Sequence, residues 1–377
     1  MFQLRNHSTT NVKSTSQPNE DNPMTHPQVV SHTPSNQPQE VTPMLNIDAL
    51  QLNLSSNIDG AKCLSSIALW NGQFRRAEQM VERGLRFHTI KPLGMVIIGE
   101  AGAGKTHFAK KKRDELNAFS VKKDDYYTMP VVMVSAPKQS TITSIVHRLL
   151  FEIGDIKPNT GTMEDKEHRL KMLLKILEVK LIIVDEIHDF LPKTQNGKGS
   201  TALSWLKGLM DDTLIPILFM GTERANLLNV IDKELASRIR YSVTISRLSY
   251  GPIDEQRFDF AEMSTAFAKN LPKQLKDFNF VTFINDVAVY SKANLLDRLY
   301  VATNGLPRGL RDIFLEINIE MEDNPNFSPN LGALSLIYDR LLSMNDYIDF
   351  NPFDVGKLDE VRNYIGYTTK GLTDEAA

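Results

Sequence analysis

The stretch that most constrains this chain is Gly99-Glu100-Ala101-Gly102-Ala103-Gly104-Lys105-Thr106. It satisfies the pattern G-x-x-x-x-G-K-[ST] at every fixed position. Its flanks fit as well. Met95 to Ile98 is a short apolar run that reads as a buried strand, and Thr106 to Leu116 reads as a helix. A strand, a glycine-rich turn and a helix are what phosphate binding needs. Backbone N–H groups close around the anion, and the helix N-terminus adds its positive end. In that arrangement Lys105 reaches the β- and γ-phosphates of ATP, and the Thr106 hydroxyl ligates Mg²⁺.

A second signal is Leu181-Ile182-Ile183-Val184-Asp185-Glu186. Four apolar residues running into two acids describe a buried parallel strand whose C-terminal end meets the nucleotide. Asp185 suits a direct or water-mediated Mg²⁺ contact. Glu186 suits a base that orients the attacking water. Two adjacent carboxylates there are costly unless something cationic faces them. A Glu directly after the Asp favours hydrolysis over binding alone.

The 377 residues are enough for two globular units plus tails, and a hydrophobic content of 41% supports a real core. One cysteine, Cys63, excludes a disulfide framework within one chain and fits a reducing cytoplasm. No apolar run reaches the ~18 residues of a transmembrane helix, and the N-terminus lacks an apolar signal core, so no membrane partner is expected. Net charge is −3, so any DNA contact requires a local basic face, one that oligomerisation would repeat.

The chain divides into four segments. Residues 1–45 are rich in Ser, Thr, Asn, Gln and Pro, with apolar residues too sparse to offset chain entropy, so disorder is expected. The histidines there, His7, His26 and His32, are irregularly spaced and read as solvated. Residues 46–246 form an α/β core with a helical lead-in, in which Phe74, Ala77, Met80, Val81, Gly84 and Leu85 keep helical spacing. Strands are expected at Val131–Ser135, Leu181–Asp185, Ile217–Gly221 and Ser242–Ile245, alternating with helices at Ile142–Ile153, Lys166–Leu177 and Leu203–Met210. With the P-loop strand this makes a five-stranded parallel sheet covered on both faces. Residues 247–345 read as a small helical lid, with helices at Arg257–Lys269, Phe280–Val289, Leu295–Val301, Pro307–Glu322 and Leu331–Leu342. Residues 346–377 read as a loosely held tail.

Three further positions complete the candidate site. Thr222 follows the apolar strand Ile217–Gly221 and either positions the attacking water or caps the next helix. Arg238, with Arg240 as second choice, precedes the fifth strand and suits a guanidinium supplied to a neighbouring subunit's γ-phosphate. Arg308, in Gly305-Leu306-Pro307-Arg308, opens a lid helix and suits a phosphate contact that couples nucleotide state to lid angle. Arg311 shares its face.

Together these features resemble an AAA+ ATPase. More narrowly, the chain resembles the TniB/TnsC family of transposition ATPases over roughly residues 65 to 320. The matching residues are Val184-Asp185-Glu186-Ile187-His188, Leu203 to Asp211, Ile215-Pro216-Ile217, Gly221-Thr222-Glu223-Arg224-Ala225 and Asp232-Lys233-Glu234-Leu235-Ala236-Ser237-Arg238. The resemblance implies a regulator of a Tn7-like or Tn5053-like transposon. Such a regulator binds ATP and assembles as a ring or helical filament on double-stranded DNA. It links a TniQ/TnsD-like target selector to the transposase, and hydrolysis disassembles the polymer. Lys138 and Thr141, after the second strand, suit phosphate contact on that DNA without base reading, and Lys157 flanks the next loop together with Lys166. Two other readings use the same P-loop: a replication-initiator or clamp-loader type of AAA+ machine, and a nucleotide-dependent signalling switch. Initiators usually carry a winged-helix or helix-turn-helix unit, and the residues after 325 are too few for one.

Overall fold

The computed structural model describes residues 71–374 apart from 139–140, 192–200, 232, 252–253, 274, 276–277, 279, 285–286, 291–292 and 342–346. The expected tail 1–45, Cys63 and Asp232 lie outside the described residues.

The described part of the lead-in opens with helix α1 (Gly72–Leu85). The Asn71 side chain starts it by accepting the N–H groups of Gln73 and Phe74. Phe74, Ala77, Met80, Val81 and Gly84 form its buried stripe. Strand β1 (Gly94–Ile98) is buried at every position, and helix α2 (Lys105–Asn117) follows the glycine-rich turn. Then come β2 (Val131–Ser135), α3 (Ile142–Glu152), α4 (Met163–Ile176), β3 (Leu181–Asp185), α5 (Thr201–Thr213) and β4 (Ile217–Gly221). Short helices α6 (Leu228–Ile231) and α7 (Lys233–Arg238) lead into β5 (Ile239–Thr244).

The five strands form one parallel sheet in the order β2-β3-β4-β1-β5. A parallel sheet buries both faces, which is why β1, β3 and β4 are continuous apolar runs and do not alternate. One layer packs α3, α4 and α5 on Val132, Val134, Ile182, Val184, Ile217 and Phe219. The other packs α1 and α2 on Met95, Ile97, Ile183, Leu218 and Met220. Each fully buried aliphatic side chain of this kind contributes about 1.5–3 kcal/mol.

The fifth strand starts at Ile239, three residues before the expected start, so Arg240 lies within it. A bulge there sets Ile239 opposite Gly94 and Tyr241 opposite Met95, leaving Arg240 without a partner position. Helix α4 starts at Met163 because Thr162 and Asp165 form a capping box, three residues ahead of the expected Lys166.

The lid contains α8 (Phe258–Lys269), α9 (Ala293–Thr303), α10 (Pro307–Asp323) and α11 (Leu331–Arg340). The helix expected over Phe280–Val289 is instead an antiparallel hairpin, β6 (Val281–Ile284) with β7 (Val287–Tyr290). Its residues are mostly β-branched or aromatic, and their strand preference prevails once each strand has a partner. The tail reading of 346–377 also gives way over the described residues 347–374. Helix α12 (Leu358–Asp374) packs on α9, and Phe353 is buried against Tyr338. Arg298, itself buried, donates to the carbonyls of Pro352 and Asp354 and pins the turn before α12.

Candidate nucleotide site

Glycine shapes the loop between β1 and α2 at two points. Gly104 has φ 101°, in the left-handed region that side chains disfavour. Gly99 lies so close to the strap after β5 that an added Cβ would sit 1.9 Å from the Ile245 carbonyl oxygen. Beneath the loop, Phe74 of α1 stacks on Phe108 of α2 with ring centroids 6.0 Å apart. The lead-in thus supports the loop from below.

Lys105 is 6% exposed, and its ammonium donates to the carbonyls of Gly99 (2.7 Å) and Glu100 (2.8 Å). Burial pushes its pKa down. The carboxylates of Glu186 and Asp185 oppose that shift, and the charge of Arg308 adds to it. The acidic strand end and the lid arginine therefore both act on one ammonium group. The two adjacent carboxylates have the cationic neighbour that their position demands.

Thr106 Oγ1 donates to Asp185 Oδ2 at 2.7 Å, and Asp185 is 2% exposed. The other carboxylate oxygen accepts the Glu186 N–H at 2.9 Å. Hard oxygens meeting at the mouth of the loop form the donor set that suits Mg²⁺ with nucleotide phosphates. Among the described residues no cluster of three or more His, Cys, Asp or Glu could hold a metal.

Glu186 has φ 55° and ψ 36°, a left-handed conformation for a non-glycine residue at the strand end. Such strain gathers at functional sites. Its side chain is about half exposed, and Oε2 lies 3.1 Å from His188 Nδ1 without alignment for a hydrogen bond. Thr222 follows β4, the strand between β3 and β1. Its hydroxyl makes no capping bond, and its carbonyl accepts from Ala225 N–H.

Arg308 comes to the loop from the lid, its N–H donating to the Gly102 carbonyl at 3.2 Å. Arg311 donates through Nε and NH2 to one oxygen of Asp312, and its charge acts on His107 of α2. Arg238 lies elsewhere. It forks onto Asp211 with two bonds of 2.7 Å and also donates to the Glu234 carbonyl. The structure thus gathers Gly99 to Thr106, Asp185, Glu186, Thr222 and Arg308 at one end of the sheet, with Arg238 at the opposite end. Lys138 is exposed one short turn beyond β2. Thr141 is exposed too, its hydroxyl engaged in the capping box of α3 with Ser144. Lys157 lies beyond the far end of α3, exposed, its carbonyl accepting from Arg169.

Two residues were not singled out from the sequence. Asp211 orders Arg238 from 27 positions away, and Arg247 forks onto Glu100 from 147 positions away. No spacing rule connects residues so far apart.

A P-loop between the first strand and its helix, acids on a strand one removed, parallel strand order β2-β3-β4-β1-β5 and a lid closing on the loop define an AAA+ P-loop NTPase fold. Residues 74–247 match the model of the family described as TniB, Bacterial TniB protein, which bears out the family resemblance over that segment. No curated protein matches the chain. Among solved structures, Aeropyrum pernix ORC2 in ADPNP–ADP complexes is 16% identical, with a TM-score of 0.47, over 75% of this chain and 70% of that one. Pyrobaculum aerophilum Cdc6p is 14% identical, with a TM-score of 0.46, over 78% and 79%. AMPPCP-bound DnaA from Aquifex aeolicus is 15% identical, with a TM-score of 0.40, over 70% and 65%. Among the described residues no helix is long and apolar enough to cross a membrane.

Proposed function

We propose that the protein is an ATP-hydrolysing regulator of DNA transposition that assembles on duplex DNA. The observation that carries the ATPase part is the convergence of Lys105, Thr106, Asp185, Glu186 and Arg308 on one loop. In this reading backbone N–H groups of the loop and the N-terminus of α2 bind the phosphates, and Lys105 leaves its loop carbonyls to neutralise them. Thr106 and Asp185 would hold Mg²⁺, which would supply charge neutralisation to the phosphates. Glu186 orients and deprotonates the attacking water, and Thr222 fixes its position from the adjacent strand.

Arg238 acts on a neighbouring subunit. It precedes β5, which runs parallel to β1 with Ile239 beside Gly94 and Thr244 beside Ile98. The chain's own loop is therefore a strand length away, about 16 Å at ~3.3 Å per residue. An arginine placed there serves a site across a subunit boundary, which argues for a ring or filament.

The transposition part rests on the TniB match, and so do the partners: duplex DNA, a target selector and a transposase. Lys138 and Thr141 contact DNA phosphates from the end of the sheet that carries the site. Lys157 stands as a separate candidate. Hydrolysis then disassembles the polymer. Electron microscopy of the protein with duplex DNA and a slowly hydrolysed ATP analogue tests this reading. Regular rings or filaments on the DNA support it. Monomers under conditions where the analogue binds overturn the assembly part.

A further inference from the structure

The strap that joins β5 to the lid is held on both sides. Ile245 N–H donates to the Ile98 carbonyl at 2.7 Å, just before the P-loop. Ser246 and Gln73 of α1 exchange bonds of 2.8 and 2.9 Å. Leu248 N–H donates to the Gly305 carbonyl at 2.8 Å, in the turn that leads to Arg308. Arg247 lies in the middle of this fixed segment. Its guanidinium forks onto the Glu100 carboxylate, Nε to Oε1 at 3.1 Å and NH2 to Oε2 at 2.6 Å. Both side chains are about one-third exposed.

Glu100 is the second residue of the P-loop, and its carbonyl is one of the two that hold the Lys105 ammonium. The connection therefore runs from Arg247 through the Glu100 side chain and main chain to Lys105. The surroundings reinforce it. Burial works against the charge on Arg247, but its bonds to the Glu100 carboxylate outweigh this. Tyr364 of α12 donates to Asn304, beside Gly305.

We infer that Arg247 is a positioning residue for nucleotide binding: by clamping Glu100 it sets the P-loop in its binding shape and ties that shape to the lid strap. It touches neither phosphate nor water in this account, and acts through Glu100. The inference rests on the ATP reading above.

The test measures ATP affinity and steady-state hydrolysis in the full chain for wild type, R247A, R247K, E100Q and the R247A/E100Q double variant. Removing one partner of a charge-assisted fork should raise the ATP Kd and KM about tenfold. Loss of loop pre-organisation is a binding effect, so kcat at saturating ATP should stay within about twofold of wild type. The double variant should be no worse than the weaker single, and R247K should recover part of the affinity. Additive losses in the double variant, or an R247A protein with wild-type KM, overturn the inference. If R247A does not fold, E100Q decides alone: it keeps the side-chain shape, and an unchanged Kd sinks the clamp. A wild-type protein that does not bind ATP would count against the ATP reading itself, a result separate from any difference among the variants.

Discussion

Arg238 and Asp211 are locked in a fork, with both N–O distances at 2.7 Å, at the end of the sheet away from the P-loop. The carboxylate fixes where the guanidinium points within its own chain. In the role proposed for Arg238 across a subunit boundary, this pairing would lower the entropy cost of ordering a long side chain, and part of the fork would open for the guanidinium to meet a phosphate.

Arg238→Ala should lose hydrolysis while still binding ATP. An arginine that stabilises phosphoryl transfer is worth about 10³-fold or more in kcat. Mixing it with Lys105→Ala creates some junctions with an intact loop on one subunit and an intact arginine on the next. Partial recovery of turnover is the expected result. No recovery, with co-assembly demonstrated, would place the arginine's action within its own chain.

Lys105→Ala should abolish ATP binding. The loop then lacks the cation that both Asp185 and Glu186 face, and no other group of the loop replaces it. Fluorescent-nucleotide titration reads this directly. Retained affinity would refute the P-loop assignment, and assembly on DNA should disappear together with binding.

Glu186→Gln should keep ATP affinity and slow hydrolysis by about 10²–10⁴-fold, the usual contribution of a general base. The carboxylate that faces water is removed, while Asp185 and its bond to Thr106 stay in place. Protein–DNA assemblies should persist longer in a dissociation assay. Near-normal turnover would assign the base to another residue.

Lys138→Glu should weaken binding to all duplex sequences about equally, because phosphate contacts carry no base information. The slope of log affinity against log salt should flatten by about one unit if each subunit makes one such contact. ATP binding should not change. Normal DNA binding across several salt concentrations would move attention to Lys157 and Lys166.

Phe353→Ala should destabilise the lid by about 3–5 kcal/mol, the cost of emptying a fully buried aromatic site. Denaturant unfolding measures it. A loosely held tail would show almost no change, so this variant separates the observed packing on Tyr338 from the tail expected of residues 346–377.

The sequence by itself determined the nucleotide loop, the acidic strand end and the parallel sheet. Each rests on neighbours in the chain: a glycine spacing, an apolar run ending in Asp185-Glu186, a strand followed by a helix. Local chemistry of that kind survives without knowledge of the fold. Only the tertiary structure decided that Arg308 meets Gly102, that Arg247 grips Glu100 and that Asp211 binds Arg238. It also turned residues 281–290 into a hairpin and folded the C-terminal segment onto α9. These outcomes depend on which surfaces are buried together. Charge pairs and strand partners far apart in the chain are chosen by packing, and no spacing along the sequence encodes them.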